Sequence, residues 1–213
     1  MIETSFIIAA YNEEKTIEKT LQALRNHPHF LRAEIIVVDD GSQDQTSDVA
    51  RKWADVVVSF QDNKGKGTAM QRGWKEAKGD YIVCLDADLE ETAEEIFSLL
   101  PPLLEAKADM TISIINPGKK SGMGFVKRRV QSIVERETGV KLEAPLSGQR
   151  AFHKKWLSVL LRKSYYGFGI ETQMTIDVLK AGATCVEIET NMKHREMGRD
   201  VKGFVHRLKQ WLI

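Results

Sequence analysis

Short runs of residues that are apolar throughout alternate with segments of helical periodicity over the first half of the chain. Strands that are apolar on both faces are typical of a parallel sheet covered by helices on both sides. The pattern therefore predicts an α/β fold with a Rossmann-like, mostly parallel central sheet. In such sheets, ligands bind beyond the carboxyl ends of the strands. The predicted strands of this half cover residues 5–10, 34–39, 55–60, 80–85 and 109–115.

The segments between these strands carry apolar residues at helical spacing, as Ile17, Leu21 and Leu24 do. Helices are predicted over 17–24, 42–53, 67–77 and 92–106, with a break or kink at Pro101-Pro102. From residue 116 the composition changes to a glycine-rich, basic loop. Beyond it, the pattern predicts helices over 125–138, 155–161 and 167–181, strands ending at 152 and covering 184–188, and a C-terminal amphipathic helix.

The fourth predicted strand runs directly into three carboxylates, in Tyr81-Ile-Val-Cys-Leu-Asp86-Ala-Asp88-Leu-Glu90. Side chains alternate along a strand, so Asp86 and Asp88 can point the same way. Two hard oxygen ligands at a strand end, together with a bound diphosphate, suit Mg²⁺ or Mn²⁺. The ordinary alternative is a pair of loop carboxylates that cap the next helix.

Polar residues also follow the first two predicted strands. Tyr11 comes directly after the first strand, and Asp39 and Asp40 end the second. Because ligands of parallel sheets bind at the carboxyl ends of strands, three polar clusters at three such ends favour a binding site.

The composition excludes several classes of function. The chain has 213 residues, enough for one domain with a sizeable core, and its net charge of +1 argues against nucleic acid. Cys84 and Cys185 lie in apolar strand-like runs and are expected to be buried thiols of a reducing compartment. The N-terminus lacks a signal-peptide pattern, and no apolar run reaches the about 18 residues of a membrane span. A cytoplasmic protein is expected.

Four motifs occur in order: Ile7-Ile-Ala-Ala-Tyr-Asn-Glu-Glu14, Val37-Val-Asp-Asp-Gly-Ser42, Asn63-Lys-Gly-Lys-Gly67 and Asp86-Ala-Asp88. With these motifs the chain resembles the family 2 glycosyltransferases, which have the GT-A fold. One departure is Ala9, where many members have proline. The Lys-Gly-Lys-Gly turn, Asp-Ala-Asp-Leu and the late His194-Arg195 resemble the subgroup of polyprenyl-phosphate sugar transferases and glucosyl-3-phosphoglycerate synthases. The resemblance implies a single domain over 1–213, with a nucleotide-sugar half at 1–115, a smaller acceptor-side half at 116–203 and the C-terminal helix at 204–213.

The resemblance implies that the strand ends and the Lys66 turn bind the nucleotide sugar. Tyr11 offers its ring face to a nucleobase, and an aromatic at the edge of the core is the ordinary alternative. Asp40 would accept hydrogen bonds from a base imide or a ribose hydroxyl, with Asp39 as support; a turn cap is expected for one of the pair. Lys66 lies between glycines, so the backbone can approach a ligand while the ammonium meets phosphate or base. The implied donor-binding residues are Ala10, Tyr11, Glu13, Asp39, Asp40, Lys66, Asp86, Arg195, Arg199 and Lys202.

The resemblance also implies a divalent cation, Mg²⁺ or Mn²⁺, because the leaving diphosphate gathers negative charge as it departs. Asp88 is implied as a direct ligand, and Asp86 binds either the cation or the donor sugar and ribose. Glu90 is a third candidate ligand, or an acidic residue in the first turn of a helix. His194 resembles a late histidine that joins the metal in some relatives, and a structural role is its alternative.

The implied catalytic residues are Asp88 and Glu171. Inverting transfer needs a base unless the acceptor is already a phosphate anion, and Glu171 is the available carboxylate. Acids are also common near the start of a helix, which is its ordinary alternative. Basic residues at the start of the 125–138 helix oppose the helix dipole, which indicates another partner, although solvated surface is the plain alternative. The implied acceptor-binding residues are Arg128, Arg129, Gln149 and Arg150.

The implied function is an inverting, metal-dependent transfer of a sugar from a UDP- or GDP-sugar to a polyprenyl phosphate or another small anionic acceptor. A nucleotidyltransferase is one alternative, disfavoured because no glycine-rich phosphate loop follows the first strand. A non-catalytic nucleotide-sugar-binding module is the other, disfavoured by the full set of carboxylates. The expected protein binds no nucleic acid and is compatible with a homodimer. It would be cytoplasmic, either free or peripheral at the inner face of the membrane.

Overall fold

The computed structural model describes residues 2–115, 124–165 and 169–194, and these contain one mixed sheet of seven strands. The strands are β1 Thr4–Ala10, β2 Ala33–Asp39, β3 Val56–Ser59, β4 Tyr81–Asp86, β5 Met110–Ile115, β6 Arg150–His153 and β7 Cys185–Thr190. In space they follow the order β3-β2-β1-β4-β6-β5-β7.

Among these described strands, β6 alone runs against the others. It pairs antiparallel with β4 on one side and with β5 on the other, whereas every other pairing is parallel. The prediction of a mostly parallel α/β sheet is therefore confirmed. Because β6 is reversed, its first residue, Arg150, lies at the edge where the parallel strands end. The segment before β6 is thus delivered to the carboxyl edge of the sheet.

Helices cover both faces of the sheet. No helix in the described ranges is both long enough and apolar enough to span a bilayer. The helices are α1 Ile17–Asn26, α2 Thr46–Ala50, α3 Lys66–Glu76, α4 Pro101–Leu104, α5 Gly124–Thr138, α6 Leu157–Leu160 and α7 Ile170–Lys180, and 3₁₀ segments cover Glu90–Leu99 and Lys154–Trp156.

Alternate residues of the central strands enter two separate cores. In β1, Phe6 and Ile8 pack with α1, α2 and the Glu90–Leu99 segment, whereas Ile7 packs with α3, α5 and α7. All three side chains are 0% exposed. Because both faces of the sheet are covered, these strands can be apolar at every position.

The helix predicted over 92–106 has a different form. A 3₁₀ segment over Glu90–Leu99 is followed by the single-turn helix α4, which begins at Pro101. Proline has no N–H to donate and suits the first turn of a helix. The Pro101-Pro102 pair therefore starts a new helix here and does not kink a continuous one.

Asp109 ties the starts of β5 and β7 together. Its Oδ1 lies 2.6 Å from Lys155 Nζ, and its Oδ2 accepts hydrogen bonds from the N–H and the hydroxyl of Thr184, both at 2.9 Å. Burial raises the pKa of the Asp109 carboxyl, but the contacts with Lys155 and Thr184 outweigh burial and lower that pKa to about 2. Since this lies below the usual value of about 4, the stabilisation is present above about pH 4 and is lost as the pH falls toward about 2.

We expect Asp109→Asn to lower the free energy of unfolding by about 1–2 kcal/mol at neutral pH, because charge-assisted hydrogen bonds are lost. The gap between wild type and variant should close as the pH falls. Urea unfolding at neutral pH and near about pH 3 measures this. The control is Asp80→Asn, which neutralises an exposed carboxylate. A gap that stays constant over this range would contradict the assignment.

Candidate active site at the carboxyl edge of the sheet

The candidate site lies where β1, β2 and β4 end. The strand register pairs Ala10 with Asp39, and Ala9 with Asp86. The three strands therefore end level, and the polar residues that follow them lie side by side. The start of the reversed strand β6 and the first turn of α7 reach the same place through contacts described below.

Lys66 joins two carboxylates that are far apart in the sequence. Its Nζ lies 2.6 Å from Asp86 Oδ1 and 2.6 Å from Glu171 Oε1, and none of the three side chains is more than 22% exposed. Burial lowers the pKa of the Lys66 ammonium, but the charges of the two carboxylates outweigh burial and hold that pKa above its usual range. Lys66 is therefore a fixed positive charge between the end of β4 and the first turn of α7.

Asp86 is held on both of its oxygens. Oδ1 accepts from Lys66, and Oδ2 accepts from Gln149 Nε2 at 2.6 Å. Burial raises the pKa of Asp86, but the charges of Lys66 and His194 outweigh burial and lower that pKa to about 2. The carboxylate is therefore charged and fixed in direction. Gln149, a predicted acceptor-binding residue, is 0% exposed and contacts Asp86 directly.

Two carboxylates and an imidazole form a compact group beside this ion pair. Ligand atoms of Asp86, Asp88 and His194 all lie within 4.8 Å of one another, and His194 Nδ1 lies 3.0 Å from Asp88 Oδ1. Two ligands at right angles on an ion with bonds of about 2.1 Å stand about 3 Å apart, so these residues fit Mg²⁺ or Mn²⁺. The hydrogen bond with Asp88 raises the pKa of His194 more than burial lowers it.

Four metal ligands were predicted, and the structure brings three of them together. Glu90 is the one that lies outside this group. Its carboxylate lies 3.5 Å from Lys19 Nζ in α1, and its backbone N–H donates to Thr20 Oγ1 at 2.9 Å. Its φ of 49° is in the left-handed region, which is uncommon for a residue other than glycine. Glu90 thus shapes the turn after β4 and faces α1.

Asp39 and Asp40 both accept backbone hydrogen bonds, Asp39 from its own turn and Asp40 from a distant one. Asp39 Oδ1 accepts from the Ser42 N–H at 3.1 Å, and the two oxygens of Asp40 accept from the N–H groups of Lys64 and Gly65 at 2.8 and 2.9 Å. Asp40 is only 3% exposed. Burial raises the pKa of its carboxyl, and the two N–H groups offset this in part. A turn cap was expected for one of the pair, and Asp39 is that residue, whereas Asp40 joins the end of β2 to the distant turn at Lys64 and Gly65.

Three further donor-binding candidates lie around the end of β1. Tyr11 is 39% exposed, so its ring is accessible to a ligand, whereas Ala10 is buried and its carbonyl accepts from the Asp40 N–H at 2.8 Å. Glu13 Oε2 accepts from the Thr16 hydroxyl at 2.7 Å at the start of α1. Tyr11 is thus the exposed member of the set, whereas Ala10 and Glu13 make contacts within the protein.

Arg150, predicted to bind the acceptor, lies inside the protein. It is 0% exposed and stands opposite Cys84 in the β4–β6 register. Two of its nitrogens donate to the Ser147 carbonyl, and a third donates to the Glu171 carbonyl at 2.9 Å and to the Thr175 hydroxyl at 2.7 Å. An acceptor in solution cannot reach a guanidinium buried in this way, so that prediction does not fit. Arg150 instead joins the segment before β6 to the first turn of α7.

The remaining candidates stand apart from this group or outside the described residues. Arg128 and Arg129 are exposed on the first turns of α5. No contact in the described part of the chain connects them to the Asp86 group. The predicted loop at 116–123 and the C-terminal helix at 204–213 lie outside the described residues, as do Arg195, Arg199 and Lys202.

Three residues at the site have only weak signals in the sequence. Gly148 passes over Asp86, and the hydroxyls of Thr20 and Thr92 contact the turn that follows β4. A glycine in a polar run directly before a strand is the one signal for Gly148. For Thr20 the signal is a small polar residue on the otherwise apolar face of α1.

Gly148→Ala is expected to lower transfer activity by roughly 10²-fold, because a misplacement of about 1 Å can cost this much. A Cβ at this position would stand 2.7 Å from Asp86 Oδ2 and 3.0 Å from Lys66 Nζ. Because Asp86 is held on both oxygens, its shift should also lower thermal stability. Steady-state kinetics and thermal unfolding test this. Gly124→Ala is the control, since its Cβ would meet no atom of the described residues within 4 Å. Full activity in Gly148→Ala would show that Asp86 needs no such close backbone.

Comparison with known proteins agrees with the fold. The family model described as "Glycosyl transferase family 2" matches residues 5–163. This chain therefore belongs to glycosyl transferase family 2, and its sheet and flanking helices form the GT-A fold of that family. Family membership does not support the nucleotidyltransferase alternative.

Two curated relatives cover different shares of the chain. Poly-beta-1,6-N-acetyl-D-glucosamine synthase of Staphylococcus aureus (strain COL) is 41% identical over 91 residues, which are 39% of this chain and 21% of the relative. Undecaprenyl-phosphate 4-deoxy-4-formamido-L-arabinose transferase of Pseudomonas fluorescens is 28% identical over 172 residues, 74% of this chain and 49% of the relative. The match thus spans about a fifth of the first relative's length and about half of the second's.

Solved structures of glucosyl-3-phosphoglycerate synthase from Mycobacterium tuberculosis are similar over nearly the whole chain. The complex of that protein with Mn²⁺, UDP-glucose and phosphoglyceric acid has a TM-score of 0.77 at 26% identity, covering 95% of this chain and 74% of that one. Its complex with Mn²⁺ and UDP-glucose has a TM-score of 0.78 at 24% identity over 99% of this chain and 77% of that one.

Proposed function

We propose that this chain transfers a sugar, with inversion, from a nucleoside-diphosphate sugar to an acceptor that bears a phosphate. The observation that supports this most directly is the group of Asp86, Asp88 and His194 at the carboxyl edge of the sheet, beside the Lys66–Glu171 ion pair. The relatives add chemical support, since one is named for undecaprenyl phosphate and another was solved with UDP-glucose and phosphoglyceric acid.

In this proposal Asp86, Asp88 and His194 hold a divalent cation, Mg²⁺ or Mn²⁺. When bound, the cation neutralises the charge that builds up on the departing diphosphate. Two carboxylates without a cation would repel a diphosphate, so the group is suited to a metal-bound donor and not to a free one. Lys66 and Gln149 keep the Asp86 carboxylate charged and pointed in one direction.

The nucleobase is proposed to lie against the exposed ring of Tyr11, at the end of β1. The turn that carries Gly65 and Lys66 is held by Asp40, so Asp40 would act on the nucleotide through the shape of this turn. Both UDP- and GDP-sugars are candidates for the donor. The identity of the base is therefore a question for binding experiments.

Glu171 is proposed to face the acceptor. An acceptor oxygen forms a bond to the anomeric carbon while the bond from that carbon to the diphosphate oxygen breaks, which inverts the anomeric centre. A phosphate oxygen is already anionic and needs no base, so the Lys66 ammonium would orient it while Glu171 holds Lys66 in place. A hydroxyl acceptor would instead pass its proton to Glu171. A polyprenyl phosphate offers only phosphate oxygens, whereas phosphoglycerate also carries a free hydroxyl, so an acceptor that bears a phosphate can follow either course.

The decisive experiment has two stages. Thermal shift with UDP, GDP and their sugars, each with and without Mn²⁺, identifies the donor. Transfer is then assayed to 3-phosphoglycerate and a short polyprenyl phosphate, with glycerate and the polyprenol as unphosphorylated counterparts, and proton NMR of the product gives the anomeric configuration. Metal-dependent donor binding and transfer only to phosphates support the proposal. A donor that binds without transfer or hydrolysis indicates a non-catalytic module, and a retained configuration contradicts inversion.

Glu171→Gln distinguishes the two kinds of acceptor. With a phosphate acceptor we expect kcat to fall by no more than about 10-fold, because no proton has to be removed. Loss of a general base would cost roughly 10²–10⁴-fold. Kinetics at saturating donor measure this, with Glu135→Gln, an exposed glutamate of α5, as control. A fall of the larger size would contradict attack by a phosphate oxygen and favour attack by a hydroxyl of the acceptor.

A further inference from the structure

The hydroxyl of Thr20 holds the turn that carries the metal-binding carboxylates. Thr20 lies in α1 and is 0% exposed. Its Oγ1 accepts from the Glu90 N–H at 2.9 Å and donates to the Ala87 carbonyl at 2.9 Å. These two backbone groups flank Asp88. The turn from Asp86 to Glu90 is therefore fixed to α1 by this hydroxyl, in addition to the contact of Glu90 with Lys19.

Thr92 makes the same pair of contacts with a different segment. Its Oγ1 accepts from the Lys193 N–H at 3.0 Å and donates to the Leu89 carbonyl at 2.6 Å. Leu89 follows Asp88, and Lys193 precedes His194. One hydroxyl thus connects the backbone next to a carboxylate ligand with the backbone next to the imidazole ligand.

The segment before His194 is anchored further toward β7. The hydroxyl of Thr190 lies 2.6 Å from that of Ser113 in β5, and the Met192 side chain is 1% exposed in the core beneath α1. These contacts hold the segment against the sheet. The Lys193 contact with Thr92 then sets where His194 emerges relative to Asp88.

The turn also has a backbone conformation that needs support. Glu90 has a φ of 49°, which costs free energy for a residue with a side chain. The Glu90 N–H donates a hydrogen bond to the Thr20 hydroxyl. The hydroxyl of Thr20 therefore stabilises the strained residue that closes the carboxylate turn.

We propose that Thr20 and Thr92 are positioning residues that fix the separation of Asp88 and His194 for a divalent cation. This inference rests on the proposed function of the Asp86, Asp88 and His194 group. A hydroxyl can accept from an N–H and donate to a carbonyl at once, which valine of the same shape cannot do and serine can. Neither threonine contacts the cation site through its side chain, so both act through the backbone of the ligand-bearing segments.

The test compares Thr20→Val and Thr92→Val with Thr20→Ser and Thr92→Ser. Thr138→Val is a matched control, because Thr138 Oγ1 also accepts an N–H, from Val140, and donates to a carbonyl, that of Val134, at the end of α5. Amide hydrogen exchange of the metal-free protein, followed by NMR, reports the hydroxyl contacts directly at Glu90 and Lys193. Binding of Mn²⁺ alone, followed by electron paramagnetic resonance, reports the ligand geometry.

The amide of Glu90 should exchange faster in Thr20→Val, and the amide of Lys193 should exchange faster in Thr92→Val. Both variants should also bind Mn²⁺ about 10–100-fold more weakly, which is the usual effect of losing an outer partner of a metal ligand. The serine variants should restore both properties, and Thr138→Val should alter neither. Faster exchange with unchanged Mn²⁺ affinity would overturn the positioning role. A wild-type protein that binds no Mn²⁺ would contradict the proposed metal site, and the amide exchange would then still decide whether the two hydroxyls hold these segments.

Discussion

Replacing Lys66 with methionine is expected to lower the free energy of unfolding by about 3 kcal/mol, the lower range for a buried ion pair that loses one partner. The two carboxylates that meet Lys66 at 2.6 Å, Asp86 and Glu171, would be left facing each other without a cation. Two such carboxylates relieve their repulsion by sharing a proton. The folded variant would then bind more protons than the unfolded chain, so its stability should rise as the pH falls below neutral. Urea unfolding at several pH values measures both effects.

Two variants make this result specific. Lys66→Met combined with Glu171→Gln removes one negative charge together with the positive one and should recover much of the lost stability. Lys64→Met removes an exposed lysine from the same turn and should change stability by no more than about 0.5 kcal/mol. If Lys66→Met is as stable as wild type, the Asp86–Lys66–Glu171 arrangement does not organise the site.

Asp88→Asn should have the largest effect on activity, lowering kcat/KM by roughly 10²–10³-fold. The amide keeps the volume of the side chain but removes the negative charge that interacts with His194 and, in the proposal, with the cation. Mn²⁺ affinity should fall by at least about 10–100-fold, the effect of losing even an indirect partner of a metal ligand. The midpoint of thermal unfolding should stay unchanged, because Asp88 is not part of either hydrophobic core. Its 3.0 Å contact with His194 lies at the surface of the site.

Kinetics with saturating Mn²⁺ and calorimetry of Mn²⁺ binding measure these effects. Asp48→Asn, an exposed aspartate of α2, is the control for loss of one negative charge. Undiminished transfer by Asp88→Asn would remove Asp88 from the chemistry. Lost transfer with unchanged Mn²⁺ affinity would assign it a role in orienting the donor and not in holding the cation.

The parallel part of the fold can be predicted from sequence because burial on both faces makes each strand apolar at every position. The position of β6 cannot be predicted in this way. A strand ending at residue 152 was predicted, but its reversed place between β4 and β5 depends on pairings that are distant in sequence. The 3₁₀ form of Glu90–Leu99 is also absent from the pattern, because apolar spacing alone does not separate it from an α-helix.

The strand-end carboxylates could be predicted because parallel strands bring their carboxyl ends to one edge. The pairing of Lys66 with Glu171 could not, because it depends on where α7 packs. Arg150 shows the limit most clearly. A sequence displays the charge of an arginine but not its burial, and arginine is rarely found fully inside a protein. Its carbonyl and hydroxyl partners become visible only once β6 and α7 are placed.

The reversal of β6 has a consequence for how activity can arise during folding. A slip of one residue in the four-residue pairing with β4 would turn Arg150 to the opposite face of the sheet and carry Gln149 away from Asp86. The site at the sheet edge is also built from residues that are far apart in sequence: 66, 86, 149, 171 and 194. It can therefore form only when contacts across most of the chain are in place. We therefore expect no partly folded species to bind a donor, and recovered donor binding in refolding experiments to coincide with the last, global phase.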